Sequence, residues 1–204
     1  MRIFKLIGVL VCAVAISAIA VTAASASTLP GVAGTSITGV GEKATLQVKG
    51  GASITCPKST TSGEILSTSE GLAVISFGPK CTTAGLPFNS LGDEPGVILV
   101  HVEIKECLSN AGVLRLAALP LHLEVPSTKL LITIEGTVLA TVAAGVKQST
   151  FPLTITQKEG KNTIETCGKE KLVLSTSTDG SEFVQSGLET KNTSLTFSAE
   201  EEFM

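Results

Sequence analysis

The chain has 204 residues with a net charge of −3 at pH 7, and 43% of its residues are hydrophobic. This length suits one domain with a substantial core, and the scattered acidic balance argues against nucleic acid and anionic membranes, because both require a basic face. Trp and Tyr are absent, which removes the residues that dominate protein-binding hot spots and the stacking of sugar rings. The few Phe residues are spread along the chain, so we expect aliphatic residues to fill the core.

The first 26 residues have the three-part layout of a secretory signal peptide. Arg2 and Lys5 form a positive start, residues 6–21 are apolar, and residues 24–26 (Ala-Ser-Ala) fit the pattern that signal peptidase cleaves. The apolar run is shorter than the roughly 20 residues that span a bilayer comfortably, so we predict cleavage rather than an uncleaved anchor. Cleavage after residue 26 leaves 13 basic and 18 acidic residues, which is a net charge of −5.

We predict that residues 27–41 form a flexible leader with at most one short strand. After it, apolar and polar residues alternate along most of the chain. An alternation of period two is typical of β-strands with one buried face. The predicted strands are Ala44–Lys49, Ala52–Cys56, Leu72–Phe77, Val97–Lys105, Val113–Ala117, Leu121–Val125, Lys129–Glu135, Thr137–Val142, Phe151–Thr156, Thr163–Cys167, Lys171–Thr176, Ser181–Ser186 and Leu195–Ala199. Asp179-Gly180 is the strongest hairpin signal, because Gly tolerates positive φ.

Many short strands separated by turns predict an all-β fold for residues 42–204. An antiparallel β-sandwich and a partly closed barrel are both compatible with this pattern. The apolar segment at residues 130–144 is interrupted by Glu135 and Gly136, so we expect no membrane span in the mature chain.

Four cysteines lie in the predicted mature chain: Cys56, Cys81, Cys107 and Cys167. An even number of cysteines in an exported protein predicts two disulfide bonds. Three pairings are possible, and we favour Cys56–Cys81 with Cys107–Cys167 because neither bond crosses the other. Zinc is the alternative, but the spacings are wide and no Cys-x-x-Cys pattern occurs.

Two His-x-Glu segments, His101–Glu103 and His122–Glu124, are a further candidate metal site. Period two places each His and its Glu on one face, so neighbouring strands in register would bring together ligands suited to zinc or manganese. The alternative, which we favour, is that these are the solvent faces of two amphipathic strands. We predict no catalytic residue, because no Ser has a G-x-S-x-G setting, and no cofactor, because phosphate-binding glycine loops are absent.

The chain resembles a group of secreted, β-rich proteins of soil actinobacteria to which no activity is assigned. The resembling segments are Ile54-Thr55-Cys56, His122-Leu123-Glu124-Val125-Pro126, Leu130-Leu131-Ile132, Gly136-Thr137-Val138, Ser186-Gly187 and Leu195-Thr196-Phe197. The resemblance implies an exported β-rich domain and transfers no catalytic residue. It also implies that the strand containing His122 belongs to the structural framework.

These observations predict a secreted, non-catalytic structural or interaction protein, with a protein partner in the cell envelope or its surroundings. The first alternative is an extracellular carrier, because a closed barrel with an aliphatic interior can hold a small apolar ligand. The second is a metal-dependent hydrolase built on the two His-x-Glu strands. A deep apolar cavity would favour the carrier, and convergence of the four side chains would favour the hydrolase.

Overall fold

The computed structural model describes residues 29, 31–48, 53–107, 112–155, 157, 166–167, 170–171, 174–178 and 184–203. The predicted signal peptide lies outside the described residues. The strands are β1 (Ser36–Gly41), β2 (Lys43–Val48), β3 (Ser53–Cys56), β4 (Ser59–Ser67), β5 (Glu70–Phe77), β6 (Thr82–Thr83), β7 (Leu86–Pro87), β8 (Asn89–Ser90), β9 (Ile98–Glu106), β10 (Val113–Val125), β11 (Leu130–Thr141), β12 (Gln148–Ile155), β13 (Thr166–Cys167), β14 (Glu170–Lys171), β15 (Leu174–Ser177), β16 (Val184–Lys191) and β17 (Thr193–Glu201). The prediction of an all-β fold is confirmed. Within these ranges, no helix has the length and apolar character needed to cross a membrane.

Eight strands close into a ring through antiparallel ladders. The order around the ring is β1, β4, β5, β9, β10, β11, β12, β17 and back to β1. Closure leaves none of these strands as a free edge in the ring. A ring of about eight strands encloses a space that side chains just fill, or that holds one small ligand.

A second sheet, which we call the cover sheet, consists of β16, β2, β3, β6 and β7 in that order. Strand β15 links it to the ring, because β15 pairs with both β11 and β16. A second link joins β12 to β16: the Ile155 amide donates to Thr190 Oγ1 at 3.3 Å, and the Gln157 amide donates to the Leu188 carbonyl at 2.9 Å. The fold therefore combines the two predicted architectures, a closed ring and a facing sheet.

Strand β10 is continuous where the sequence predicts two strands separated by Pro120. The register of β10 against β11 shifts between Ala118 and Leu121. A bulge of this kind leaves residues without ladder partners, and Pro needs none because it has no N–H. Gly136, which lies between two predicted strands, is within the single strand β11 opposite Ala118 and has a φ of 114°, a backbone conformation that favours Gly.

The predicted leader at residues 27–41 contains one strand, which begins at Ser36. Residues 36–41 form β1, which pairs with β4 on one side and β17 on the other, and Ile37 is buried. Strand β1 packs so closely against β17 that a Cβ on Gly39 would lie 2.8 Å from the Ser194 carbonyl oxygen. Small residues that resemble a linker in sequence are therefore required here by close packing.

Disulfide bonding follows the predicted scheme where the structure describes it. Cys56 on β3 is bonded to Cys81, in the segment after β5, as predicted. Cys107 is also disulfide-bonded, while the side chain of Cys167, its predicted partner, lies outside what the structure describes. Cys81 directly precedes β6, which pairs with β3, so the Cys56–Cys81 bond joins neighbouring segments of the cover sheet.

The core is mostly aliphatic, as expected, and it also contains an aromatic cluster. Phe151, Phe197 and Phe203 pack edge to face with ring centroids 4.8 to 6.0 Å apart. All three side chains are buried. Residues far apart in sequence meet because β12 and β17 are neighbours in the ring.

Candidate ligand cavity

A cavity of about 100 Å³ lies between the ring and the cover sheet. Inward-facing residues of five ring strands form one wall, among them Ile75, Phe77, Val100, Leu121, Val138 and Ile155. Residues of the cover sheet form the other wall: Ala44, Leu46, Ile54, Cys56 and Leu188. The two layers of the fold therefore line the space between them.

The described lining contains no charged or hydrogen-bonding side chain. It consists of aliphatic and aromatic side chains, Gly136, and the sulfur of the disulfide-bonded Cys56. Ladders between β5, β9, β10 and β11 hydrogen-bond the main-chain groups along part of the ring wall. Such a space is apolar and resembles the dry cavities that accept small apolar molecules.

Incomplete burial of core side chains coincides with this cavity. Seven of the eight partly buried hydrophobic residues packed against the core line it, namely Leu46, Ile75, Phe77, Val100, Ala118, Leu121 and Leu188. Only Val142 lies elsewhere. The packing defect of the core is thus concentrated in one place.

Two small residues create much of the free space on the ring wall. Ala118 on β10 and Gly136 on β11 are direct cross-strand partners, and both line the cavity. Side chains of paired residues on one face of a sheet lie close together, so two larger residues here would fill the space. Ala118 also pairs with Val102 of β9, which places it in the middle of the wall.

The two His-x-Glu segments lie on the outer surface of the ring, away from the cavity. His101 is exposed on β9. The Glu103 carboxylate lies 3.4 Å from Lys105 Nζ, which is also 3.5 Å from the Glu70 carboxylate. These groups form a surface ion-pair network rather than a ligand set.

The other pair has separate partners. His122 Nδ1 lies 3.1 Å from Thr133 Oγ1, and Glu124 Oε1 accepts a hydrogen bond of 3.0 Å from the buried Asn89 side chain. Asn89 also donates to the Asp93 carbonyl at 3.3 Å, so Glu124 helps to hold the loop after β8.

The metal hypothesis required that the two strands be neighbours and that their His and Glu residues be in register. The strands are neighbours, but the residues are not in register. Glu103 on β9 faces Ala117, and His122 lies beyond the bulge of β10. Among the described residues, which include all four candidates, no group of three or more His, Cys, Asp or Glu side chains could hold a metal ion. The four side chains do not converge.

A shallow surface groove of about 620 Å³ is the second depression of note. It runs over the outer faces of β4, β5 and β9, where Leu72 lies in register between Glu64 and Glu103. Exposed Leu119 borders it. The groove lies on the surface and is lined by both charged and apolar residues, whereas the cavity is lined by apolar residues alone, so the cavity is the better candidate site.

Sequence reasoning anticipated an apolar interior but none of the residues that shape the cavity. Ala118 and Gly136 gave no signal, because Ala and Gly are common in strands and turns and their pairing depends on register. Comparison with known proteins adds no relative: no family model, curated protein or solved structure matches the chain, and the resemblance to actinobacterial proteins stays a prediction.

Proposed function

We propose that the protein is an extracellular, non-catalytic carrier that holds one small apolar ligand between the ring and the cover sheet. The observation that carries this proposal is the apolar cavity of about 100 Å³. Protein interiors are normally close-packed, and an empty space of this volume costs about 2 kcal/mol of stability at the usual penalty per unit volume. A ligand that fills the space would offset that cost.

The extracellular location is supported by two independent features. The Cys56–Cys81 bond, together with the bonded Cys107, is typical of proteins that fold in oxidising compartments. The predicted signal peptide at residues 1–26 supplies the route.

The cavity favours the carrier over the structural or interaction role that composition alone suggests. A purely structural β domain gains nothing from a void that lowers its stability. The hydrolase alternative loses its main support, because His101, Glu103, His122 and Glu124 have separate partners on the outer surface.

The direct test is to identify what the protein carries when it is made by a host that exports it. The purified chain is extracted with organic solvent, and the extract is analysed by gas chromatography with mass detection. Ala118→Leu, which fills the cavity, is purified in parallel. Ala117→Leu is the matched control, because Ala117 is the next residue on β10, points to the opposite face and does not line the cavity.

We expect a small apolar compound in stoichiometric amount from the natural chain and from Ala117→Leu, and its loss from Ala118→Leu. Equal recovery from both variants would place the compound outside the cavity. Recovery of no compound from any of the three would contradict the carrier function and leave the structural role as the better proposal.

A further inference from the structure

We infer that the cavity selects a small neutral hydrocarbon and rejects molecules of the same shape that carry even one hydrogen-bonding atom. This inference rests on the proposed function and deepens it by naming the class of ligand. It follows from two properties of the cavity, its volume and the chemistry of its walls.

The volume limits the size of the ligand. A dry protein cavity of roughly 150 Å³ accepts benzene or xenon, and this cavity measures about 100 Å³. Pockets for drug-sized ligands are larger, on the order of 300–1,000 Å³. The ligand, or the part of it that is enclosed, is therefore no larger than a single small ring or a short aliphatic group.

The walls contain no partner for a polar atom. On the ring side, Val102 pairs with Ala73 and Ala118, and Ala118 pairs with Gly136, so the strands along this wall have neighbours on both sides. On the cover side, Leu46 pairs with both Leu188 and Ile54. Along these ladders the main-chain donors and acceptors are used by the sheet itself, and the side chains of the lining offer only carbon and the Cys56 sulfur.

A polar atom brought into this space would lose its hydrogen bonds to water and gain none. The cost of burying such an atom unpaired corresponds to at least about a tenfold loss of affinity. A charged ligand would lose far more. The cavity therefore discriminates by excluding polarity, without any specific contact to recognise the ligand.

The test uses xenon as the probe and a pair of rings as competitors. Xenon NMR of the purified protein, freed of bound compounds, detects a saturable bound state. Benzene and uncharged pyridine are then added as competitors, because they have the same size and differ by one ring nitrogen. We expect benzene to displace xenon, and pyridine to require at least about a tenfold higher concentration.

Two variants show whether xenon reports on this cavity. Ala118→Leu is expected to abolish the bound xenon signal, and Ala117→Leu is expected to retain it. If Ala118→Leu does not fold, the smaller Ala118→Val change is expected to weaken xenon binding in a folded protein, which a thermal melt verifies.

The outcomes separate the selectivity from the carrier function. Displacement of xenon by pyridine and benzene at equal concentrations would overturn the selectivity while leaving a carrier of broader range. No saturable xenon binding by the natural chain would overturn the selectivity, because a dry apolar cavity must accept xenon. Selective binding by a protein that yields no compound from its export host would uphold the selectivity and contradict the carrier function.

Discussion

Strand β12 passes through two regions of the same interior that are packed very differently. Phe151, near its start, lies fully buried in the aromatic cluster with Phe197 and Phe203. Ile155, at its end and on the same face, lines the cavity. One face of one strand thus reaches both the aromatic cluster and the cavity.

Dense packing and free space have separate sources in this molecule. In the aromatic cluster, large rings from neighbouring strands interlock. At the cavity, small residues oppose each other, as Ala118 and Gly136 do. The cover sheet supplies the opposite wall of the cavity, so the free space depends on how that sheet is held as well as on the ring.

The largest expected effect is the loss of stability when a phenylalanine in the aromatic cluster is truncated, compared with one beside the cavity. Phe151→Ala should lower the free energy of unfolding by about 3–5 kcal/mol, because a fully buried ring leaves a new cavity. Phe77→Ala should cost less by at least about 1 kcal/mol, because Phe77 is only partly buried and already borders free space. Urea unfolding with unchanged m-values measures both. Equal losses would show that the two regions are packed alike.

Removal of the Cys56–Cys81 bond should have the next largest effect. The double change Cys56→Ser and Cys81→Ser should lower the free energy of unfolding by roughly 2–4 kcal/mol, mainly by freeing the unfolded chain. Because the bond holds the cover sheet, amide exchange should increase more in β2 and β3 than in β1 and β17, which surround the aromatic cluster. A uniform increase across all four strands would contradict a local role in holding the cavity closed.

Filling the cavity should raise stability modestly. Ala118→Leu is expected to increase the free energy of unfolding by about 0.5–2 kcal/mol, as cavity-filling changes commonly do. The neighbouring Ala117→Leu should stay within about 0.5 kcal/mol of the natural chain, because its side chain lies on the other face. Chemical denaturation measures the free energy of unfolding of the two variants. A loss of stability in Ala118→Leu would mean that the wall cannot accept the added carbons.

The smallest effect is expected beside the bulge. Leu119 is 54% exposed next to Ala118, so Leu119→Ser should change stability by no more than about 0.5 kcal/mol. Xenon binding should also be unchanged, because Leu119 does not line the cavity. Thermal denaturation and xenon NMR provide the two readouts. Weaker xenon binding would show that the bulge shapes the cavity wall from outside.

Prediction from sequence worked where the pattern was local and strong. Strands such as β9 and β12 alternate clearly between apolar and polar residues, and the structure contains both. Strand β4 was not predicted, because its sequence is rich in Ser and Thr and has few apolar residues to reveal its buried face. Strand β1 was predicted only as part of a leader with at most one short strand for a similar reason, since glycines occupy positions where larger residues usually mark a strand.

The candidate site could be predicted only in outline. An apolar interior follows from the composition, but the cavity depends on Ala118 facing Gly136, and that pairing depends on the register after Pro120. The metal hypothesis also depended on register, and there the register went against the hypothesis. The strands were correctly expected to carry His and Glu on one face, and the observed register separates the two pairs.

Residue types and short-range spacing were enough to predict the strand-rich character of the chain, export, and a disulfide-bonded set of four cysteines after residue 26. The tertiary structure alone decided which strands close the ring, where the three phenylalanines meet and where space remains. The physical reason is that strand pairing joins residues that are distant in sequence. A register shift of one residue moves every side chain of a strand to the other face, so packing and cavity emerge only when all the ladders are in place.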